Sequence, residues 1–453
     1  MIYKYFANIL VAGLLVTVGW ASAGYSQSDA RADSTIKRLS LSEALSLAEK
    51  QNYRIRQAEQ QINITRAQFR KTNALFLPQL SIEEQAVTTT DPLQAFGMKL
   101  KQEQVTAADF NPQVLNDPDR ITNYATSFKV EQPLFNLDQW YQRSALDKKV
   151  EGSRQQWHRT QYGVRFQVKR TYYTLILQKA RRAVIDTALA AAQKHLQQAE
   201  DYYQEGMINK ASMLSARVRV NNLQSKRLEA RHQQQNQEDQ LRYLIGLEDE
   251  TAIRLTDSLD LSPVSSPLNA YRSAIDMRSD IRALKYRVDA ARDMLSASRL
   301  AFVPSINLFG RYEFNDDQLL GTQADNYLVG ATLQWDLFSG FKNIAGVQQS
   351  RHELEKAKLA YIDQTRQSRT EVRKVYRSLQ DAREQVEIAE VTMEQAAEDL
   401  RIRSNRFEQG MEKTTDLLRA EVQLEEARMK RLQALYKYNT NLAKLEFLLE
   451  QDL

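Results

Sequence analysis

The sequence predicts a mainly α-helical protein with a β-barrel contribution, built from two copies of one unit: a long helical hairpin and a pair of amphipathic strands. Three observations predict it. Over 340–410 apolar residues recur in heptads, with Val372, Leu379, Val386, Met393, Leu400 and Phe407 in one column and Val375, Ala382, Ala389 and Ala396 in the other. That is the pattern of a coiled-coil seam. The same columns return earlier at a constant offset, as Val168, Leu175, Arg182, Leu189, Leu196 and Tyr203 beside Ile185 and Ala192, so the chain is a duplication. Finally, four stretches of about ten residues alternate apolar and polar side chains, the period of strands with two unlike faces.

The repeat runs on past each seam without a gap. Tyr202, Tyr203, Gly206 and Met207 lie over Arg406, Phe407, Gly410 and Met411, and Leu214, Ala216 and Val218 lie over Leu418, Ala420 and Val422. A Gly followed by a second amphipathic segment is how a helix ends and turns back on itself. The seam alone would equally suit a plain coiled coil. A duplication of this length points to one integrated architecture rather than separate domains.

Charged residues make up 26% of the 453, with only 8 Pro, as in solvated helices rather than disorder. The formal charge of +5 is a small excess of 62 basic over 57 acidic residues, and nothing in it requires nucleic acid. Residues 1–23 read as a secretory signal: Lys4 supplies the positive end, 9–20 the apolar core, and Ala21-Ser22-Ala23 the small-residue cleavage site. That core is short for a spanning helix, which needs about 20 residues. The chain contains 0 Cys, so we expect neither a disulfide framework nor a lipid-modified amino terminus.

A polar leader at 24–40 precedes the first repeat, 41–255. This opens with two helices, over 41–52 and 53–74, with Ser40 or Ser42 available as a cap. Strands follow near 79–90 and 123–135, separated by a polar loop of about 30 residues carrying Asp91-Pro92, Asn111-Pro112 and Asp117-Pro118. The long hairpin comes next, with its tip near 206–210. A linker at 256–268, with Pro263 and Pro267, separates the repeats. The second repeat, 269–453, holds a helix, strands near 304–315 and 325–338, and a hairpin with its tip near 410–413.

Lengths suggest how these parts fit. About 68 residues over 138–205 rise roughly 100 Å, whereas the return segment at 209–245 covers only about 55 Å. The helix over 53–74 adds about 33 Å, so two short helices should stack end to end beside each long one. The strands have the length and alternation of transmembrane β-strands, and Tyr124, Phe135, Tyr327, Trp335 and Phe338 would suit interfacial belts. A small soluble sheet packed on helices shows the same alternation. A sheet in lipid must close, and the smallest outer-membrane barrels have about eight strands. Four strands cannot close alone, so two copies, or three, must share a barrel.

With its leader, its paired Phe76-Leu77-Pro78 and Phe302-Val303-Pro304 approaches to the strands, Gln132-Pro133-Leu134-Phe135 and Trp335-Asp336-Leu337-Phe338-Ser339-Gly340 leaving them, and two Gly-containing hairpins, the chain resembles the TolC-like outer-membrane efflux proteins. The resemblance covers essentially the whole mature chain. It implies a homotrimer with one twelve-stranded barrel in outer-membrane lipid of a Gram-negative-type bacterium and a helical tunnel through the periplasm. It also implies an inner-membrane pump and a periplasmic adaptor protein as partners, with substrate conducted passively. By the same resemblance the tips at Gly206 and Gly410 close the tunnel mouth, and Asp416 matches the first of the acids that ring it. Arg419 stands where a second acid is expected, and the first repeat has Ser212 and Ser215 at these places, which argues against a strongly anionic mouth.

No catalytic site, cofactor or metal is expected. His158, His195, His232 and His352 are scattered through helical patterns, without metal-ligand spacing or a phosphate-cradling Gly loop nearby. The competing readings are a periplasmic adaptor, which normally has one hairpin and a Gly-rich β-domain, and an exported coiled-coil scaffold, which leaves the strands unexplained.

Overall fold

The computed structural model describes residues 37–248, 252–261 and 272–453. The expected signal at 1–23, most of the leader and most of the linker fall outside them.

Strand β1 (Lys37–Leu39) leads into helix α1 (Leu41–Gln51), where Ser40 and Glu43 exchange side-chain and backbone hydrogen bonds in a capping box. Asn52 closes α1 and caps α2 (Tyr53–Lys71), its side chain accepting from the Arg54 N–H at 2.9 Å. After β2 (Gln79–Thr89), the long polar loop forms two short helices, α3 (Pro92–Lys101) and α4 (Pro112–Asn116). Two of the three Asp-Pro and Asn-Pro pairs seen in the sequence are their starts, Asp91 and Asn111 capping and Pro filling the first helical position, while Asp117-Pro118 ends α4. Then come β3 (Ile121–Phe135), α5 (Leu137–Gln204), α6 (Lys210–Ile245) and β4 (Ile253–Leu255). The second repeat supplies α7 (Arg272–Met277), α8 (Ser279–Leu300), β5 (Ser305–Asp316), β6 (Ala324–Gln334), α9 (Lys342–Glu408) and α10 (Thr414–Leu449).

Helices α5 and α9, with 68 and 67 residues, each rise about 100 Å. In the first repeat α2 and α6 both lie along α5, and in the second α8 and α10 both lie along α9. Two shorter helices thus share the length of one long one. The seam is what they bury: Val372, Val375, Leu379, Ala382 and Val386 of α9 pack with Leu435, Tyr438 and Leu445 of α10. At the start of the first repeat Val164, Val168 and Leu175 of α5 meet Ala44 and Ala48 of α1 and Leu241 and Ile245 of α6.

Strands β1 and β4 pair in parallel, joining the leader to the segment after α6. Tyr172 of α5 pins that junction, its hydroxyl lying 2.9 Å from the Leu39 carbonyl and 2.8 Å from the Asp257 carboxylate, one proton between two acceptors.

The other four strands form one antiparallel sheet in the order β2-β3-β5-β6, so the two repeats join in its middle through β3 and β5. One boundary differs from the sequence reading. Strand β6 stops at Gln334 instead of continuing to residue 338, because its partner β5 begins at Ser305, opposite Gln334, and leaves 335–338 nothing to pair with. Gly340 and Phe341, at φ of 61° and 65°, then swing the chain through left-handed backbone into α9. Among the described residues no helix is long and apolar enough to cross a membrane.

Candidate functional site

The sheet has two chemically distinct faces. Register places Ile82, Phe128, Tyr312 and Tyr327 in one row across all four strands, and Leu80, Val130, Gly310 and Val329 in the next. On the reverse face Glu83, Ser127, Glu313 and Asn326 form a row, and Lys129 pairs with Glu83. Alternation of side chains along each strand separates a mainly apolar face, which also carries Glu84 and Asp325, from a mainly polar one, which also carries Phe309 and Leu328.

At the end farthest from the helices, the loop carrying α3 folds onto the polar face. Lys101 reaches Glu313 at 3.0 Å, and the buried Gln102 amide donates to the Thr122 carbonyl at 2.9 Å and to Asn123 at 2.8 Å. The loop is internally tied as well. Asp109 takes hydrogen bonds from Lys99 and from Thr106, which together lower its pKa to about 2.

Among the described residues neither edge of the sheet has a partner strand on its outer side, β2 forming one edge and β6 the other. Three successive antiparallel pairings make the two edges run in opposite directions.

The hairpin tips lie at the other end of the molecule. Both long helices end in the same motif. Gly206, at φ 74°, donates to the Tyr203 carbonyl at 3.1 Å while Met207 donates to Tyr202 at 2.8 Å; Gly410, at φ 70°, donates to Phe407 at 2.9 Å while Met411 donates to Arg406 at 2.9 Å. This is the Schellman cap, which needs left-handed backbone at the glycine.

Of the residues expected at the mouth, Ser212 is in the first turn of α6, its N–H donating to the capping Asn209 side chain at 2.9 Å. Ser215 turns its hydroxyl back to the Ala211 carbonyl at 2.9 Å. Asp416 sits in the first turn of α10, where the helix N-terminus favours a carboxylate, and lies 3.9 Å from Arg419, whose side chain is 73% exposed.

A charged cluster slightly above the tips was not anticipated from the sequence. His195 of α5 contacts Glu421 of α10, while Arg219 and Lys226 of α6 each donate to Glu425 of α10 at 2.7 Å. Glu421 and Glu425 are buried. Burial works against the charge on Glu425, but the hydrogen bonds from Lys226 and Arg219 outweigh it and hold the carboxyl below its ordinary range. Closer to the tip, Glu412 receives Arg403 at 3.2 Å and Arg406 at 3.5 Å. The available signal was two acids one turn apart, beside the apolar column Leu417, Ala420, Leu424 and Ala427, which is a poor place for solvated charge.

Comparison with known proteins agrees with this architecture. A family model described as outer membrane efflux protein matches residues 44–247 and 270–450. Alkaline protease secretion protein AprF of Pseudomonas aeruginosa is 24% identical over 334 residues, 72% of this chain and 69% of that protein. Outer membrane protein TolC of Vibrio cholerae is 21% identical over 217 residues, 46% of this chain and 50% of its own length. The crystal structure of the Campylobacter jejuni CmeC outer membrane channel has the same fold, with a TM-score of 0.79 at 15% identity, covering 90% of this chain and 85% of that one.

Proposed function

The chain belongs to the outer membrane efflux protein family, and on that premise we propose that three copies share one twelve-stranded barrel in the outer membrane, continued by a helical tunnel across the periplasm. Cargo handed over by an inner-membrane pump through a periplasmic adaptor passes along it passively. This chain acts as a duct and catalyses nothing.

The sheet carries the reading. Four strands with one mainly apolar face, interrupted by Glu84 and Asp325, cannot seal their own edges in lipid, where every backbone N–H and C=O needs a partner. Because β2 and β6 run oppositely, β6 of one copy can pair antiparallel with β2 of the next, and a ring of copies closes without a change of strand direction. The relatives are a protease secretion protein and an outer membrane protein, and the structural neighbour is an outer membrane channel, which supports export across the outer membrane.

The test is native mass in detergent together with conductance in a planar bilayer. A trimer that forms pores supports the reading. A water-soluble monomer without conductance overturns it.

The same reading assigns Asp416 and Arg419 to the closed mouth. Arg419 reaches well out from its helix, and its pairing with Asp416 inside one copy is long, so each Arg419 is available to a neighbour's Asp416 around the axis. Neutralising both residues, as Asp416→Asn with Arg419→Gln, should raise resting conductance. Unchanged conductance and unchanged leakage would remove the gate assignment while leaving the duct intact.

A further inference from the structure

We propose that the part of α6 nearest the tips packs antiparallel against α9 of the adjacent copy, with Arg217 and Asp399 as the charged pair at that seam. The inference rests on the assembly reading above and specifies the surface through which neighbouring copies meet.

Within one protomer the two repeats already meet by a simple rule. In the sheet, the second strand of the first repeat, β3, pairs with the first strand of the second, β5. Among the helices, the outgoing α5 packs along the returning α10, through Arg159 and Glu450 at 3.0 Å, Lys169 and Glu446 at 2.6 Å, and the contact of His195 with Glu421. Applied once more around a ring, the rule pairs β6 with the next copy's β2 and α9 with the next copy's α6.

Both surfaces needed for that step are exposed in the protomer. On α6 a heptad stripe of Leu214, Val218 and Leu228 is 42%, 56% and 61% exposed; on α9 a stripe of Ile388, Val391 and Ile402 is 67%, 54% and 46% exposed. The stripes are at matching heights. Leu214 and Ile402 lie equally far along the chain from their own tip glycines, Gly206 and Gly410, and so do Ser225 and Val391, and Leu228 and Ile388. Apolar stripes at heptad spacing on antiparallel helices interdigitate when their levels agree.

Charge is complementary as well. At matching levels the only acid on α6 over 217–231 is Glu229, whereas α9 has no Lys or Arg over 385–399, its Arg401, Arg403 and Arg406 lying nearer the tip. The repeat places Asp399 where α5 has His195, and Arg217 where α10 has Glu421. An internal contact between opposite chemistries therefore returns between copies with its signs exchanged. Arg217 now bonds Glu200 at 2.6 Å and Asp399 bonds Arg403 at 3.0 Å, with side chains 51% and 41% exposed. A guanidinium with five N–H donors and a carboxylate with two oxygens can each take a second partner.

The chain contains 0 Cys, which gives a clean background for cross-linking. A double variant, Ser225→Cys with Val391→Cys, treated with a thiol oxidant or a short bifunctional maleimide in membranes, should yield covalent dimers and closed trimers on a denaturing gel. Each single variant should stay monomeric on that gel. Arg217→Glu and Asp399→Arg should each lower the trimer yield several-fold at low salt, and the two together should restore it. If the double-Cys variant gives no cross-linked oligomer while native mass remains trimeric, this seam is wrongly assigned and the assembly reading survives. A monomeric native mass would overturn both.

Discussion

Arg219 and Glu425 meet at 2.7 Å across the boundary between the two repeats, with 10% and 6% of their side chains exposed. The pair fastens the return helix of the first hairpin to that of the second just above the tips, and Lys226 completes it at 2.7 Å on the other carboxylate oxygen. Removing one member of a buried pair strands the other charge and costs about 3–5 kcal/mol. Glu425→Gln should therefore loosen the tip half of the molecule, read as faster limited proteolysis near Gly206 and Gly410. Cleavage at the original rate would show that the cluster is not a structural tie.

The same carboxylate predicts a pH dependence. Its pKa is lower in the folded chain than in the unfolded one, so the stability it contributes is complete above the unfolded value and lost as pH falls through the folded value. Tip proteolysis by an acid-tolerant protease should stay flat down to the ordinary carboxylate range, about 4, and rise below it. In Glu425→Gln that acid-dependent rise should be much reduced.

Room for a Cβ separates three glycines that share left-handed backbone. Gly206 and Gly410 have left-handed φ with open space where a Cβ would go, so Ala at either should cost about 1–2 kcal/mol from backbone strain alone. Gly246, at φ 69°, would also place its Cβ 2.7 Å from the Gln51 Cβ. Gly246→Ala should be the most damaging of the three in chemical denaturation.

The apolar face of the sheet can be tested by charge. Val329 occupies the row of Leu80, Val130 and Gly310, and an Arg on the lipid side of a barrel near mid-membrane costs about 2–4 kcal/mol. Val329→Arg should reduce refolding into lipid vesicles, whereas Asn326→Arg, exposed on the opposite face, should be tolerated better. Equal effects would contradict the facing.

At the junction of leader and helices, Tyr172→Phe removes from a fully buried ring the one hydroxyl proton that faces both the Leu39 carbonyl and Asp257. The expected loss is about 1–3 kcal/mol in thermal or denaturant unfolding.

The duplicated, mainly helical architecture was legible because heptads and two-residue alternation are long-range signals, repeated at a fixed offset. Short elements were not. Strands β1 and β4 have 3 residues each and owe their conformation to each other and to Tyr172, which no local pattern reveals. Helices α3 and α4 announced their starts through Asp91-Pro92 and Asn111-Pro112, but short helices inside a polar stretch read as loop. The end of β6 depended on where β5 begins, a property of pairing rather than of residues 335–338. At the tips, glycine spacing marked the turns, and Asp416 and Arg419 were singled out by resemblance alone. Glu421 and Glu425 escaped because acids on a helix ordinarily face water, and only packing shows that these face Arg219, Lys226 and His195.

The central pairing of β3 with β5, together with the bridges from α5 to α10, fastens the halves along the whole height of the subunit by non-covalent means. Peptide continuity between them is then dispensable once they have met. Two polypeptides, 1–261 and 262–453, each supplied with its own export leader, should find one another and reconstitute a working subunit.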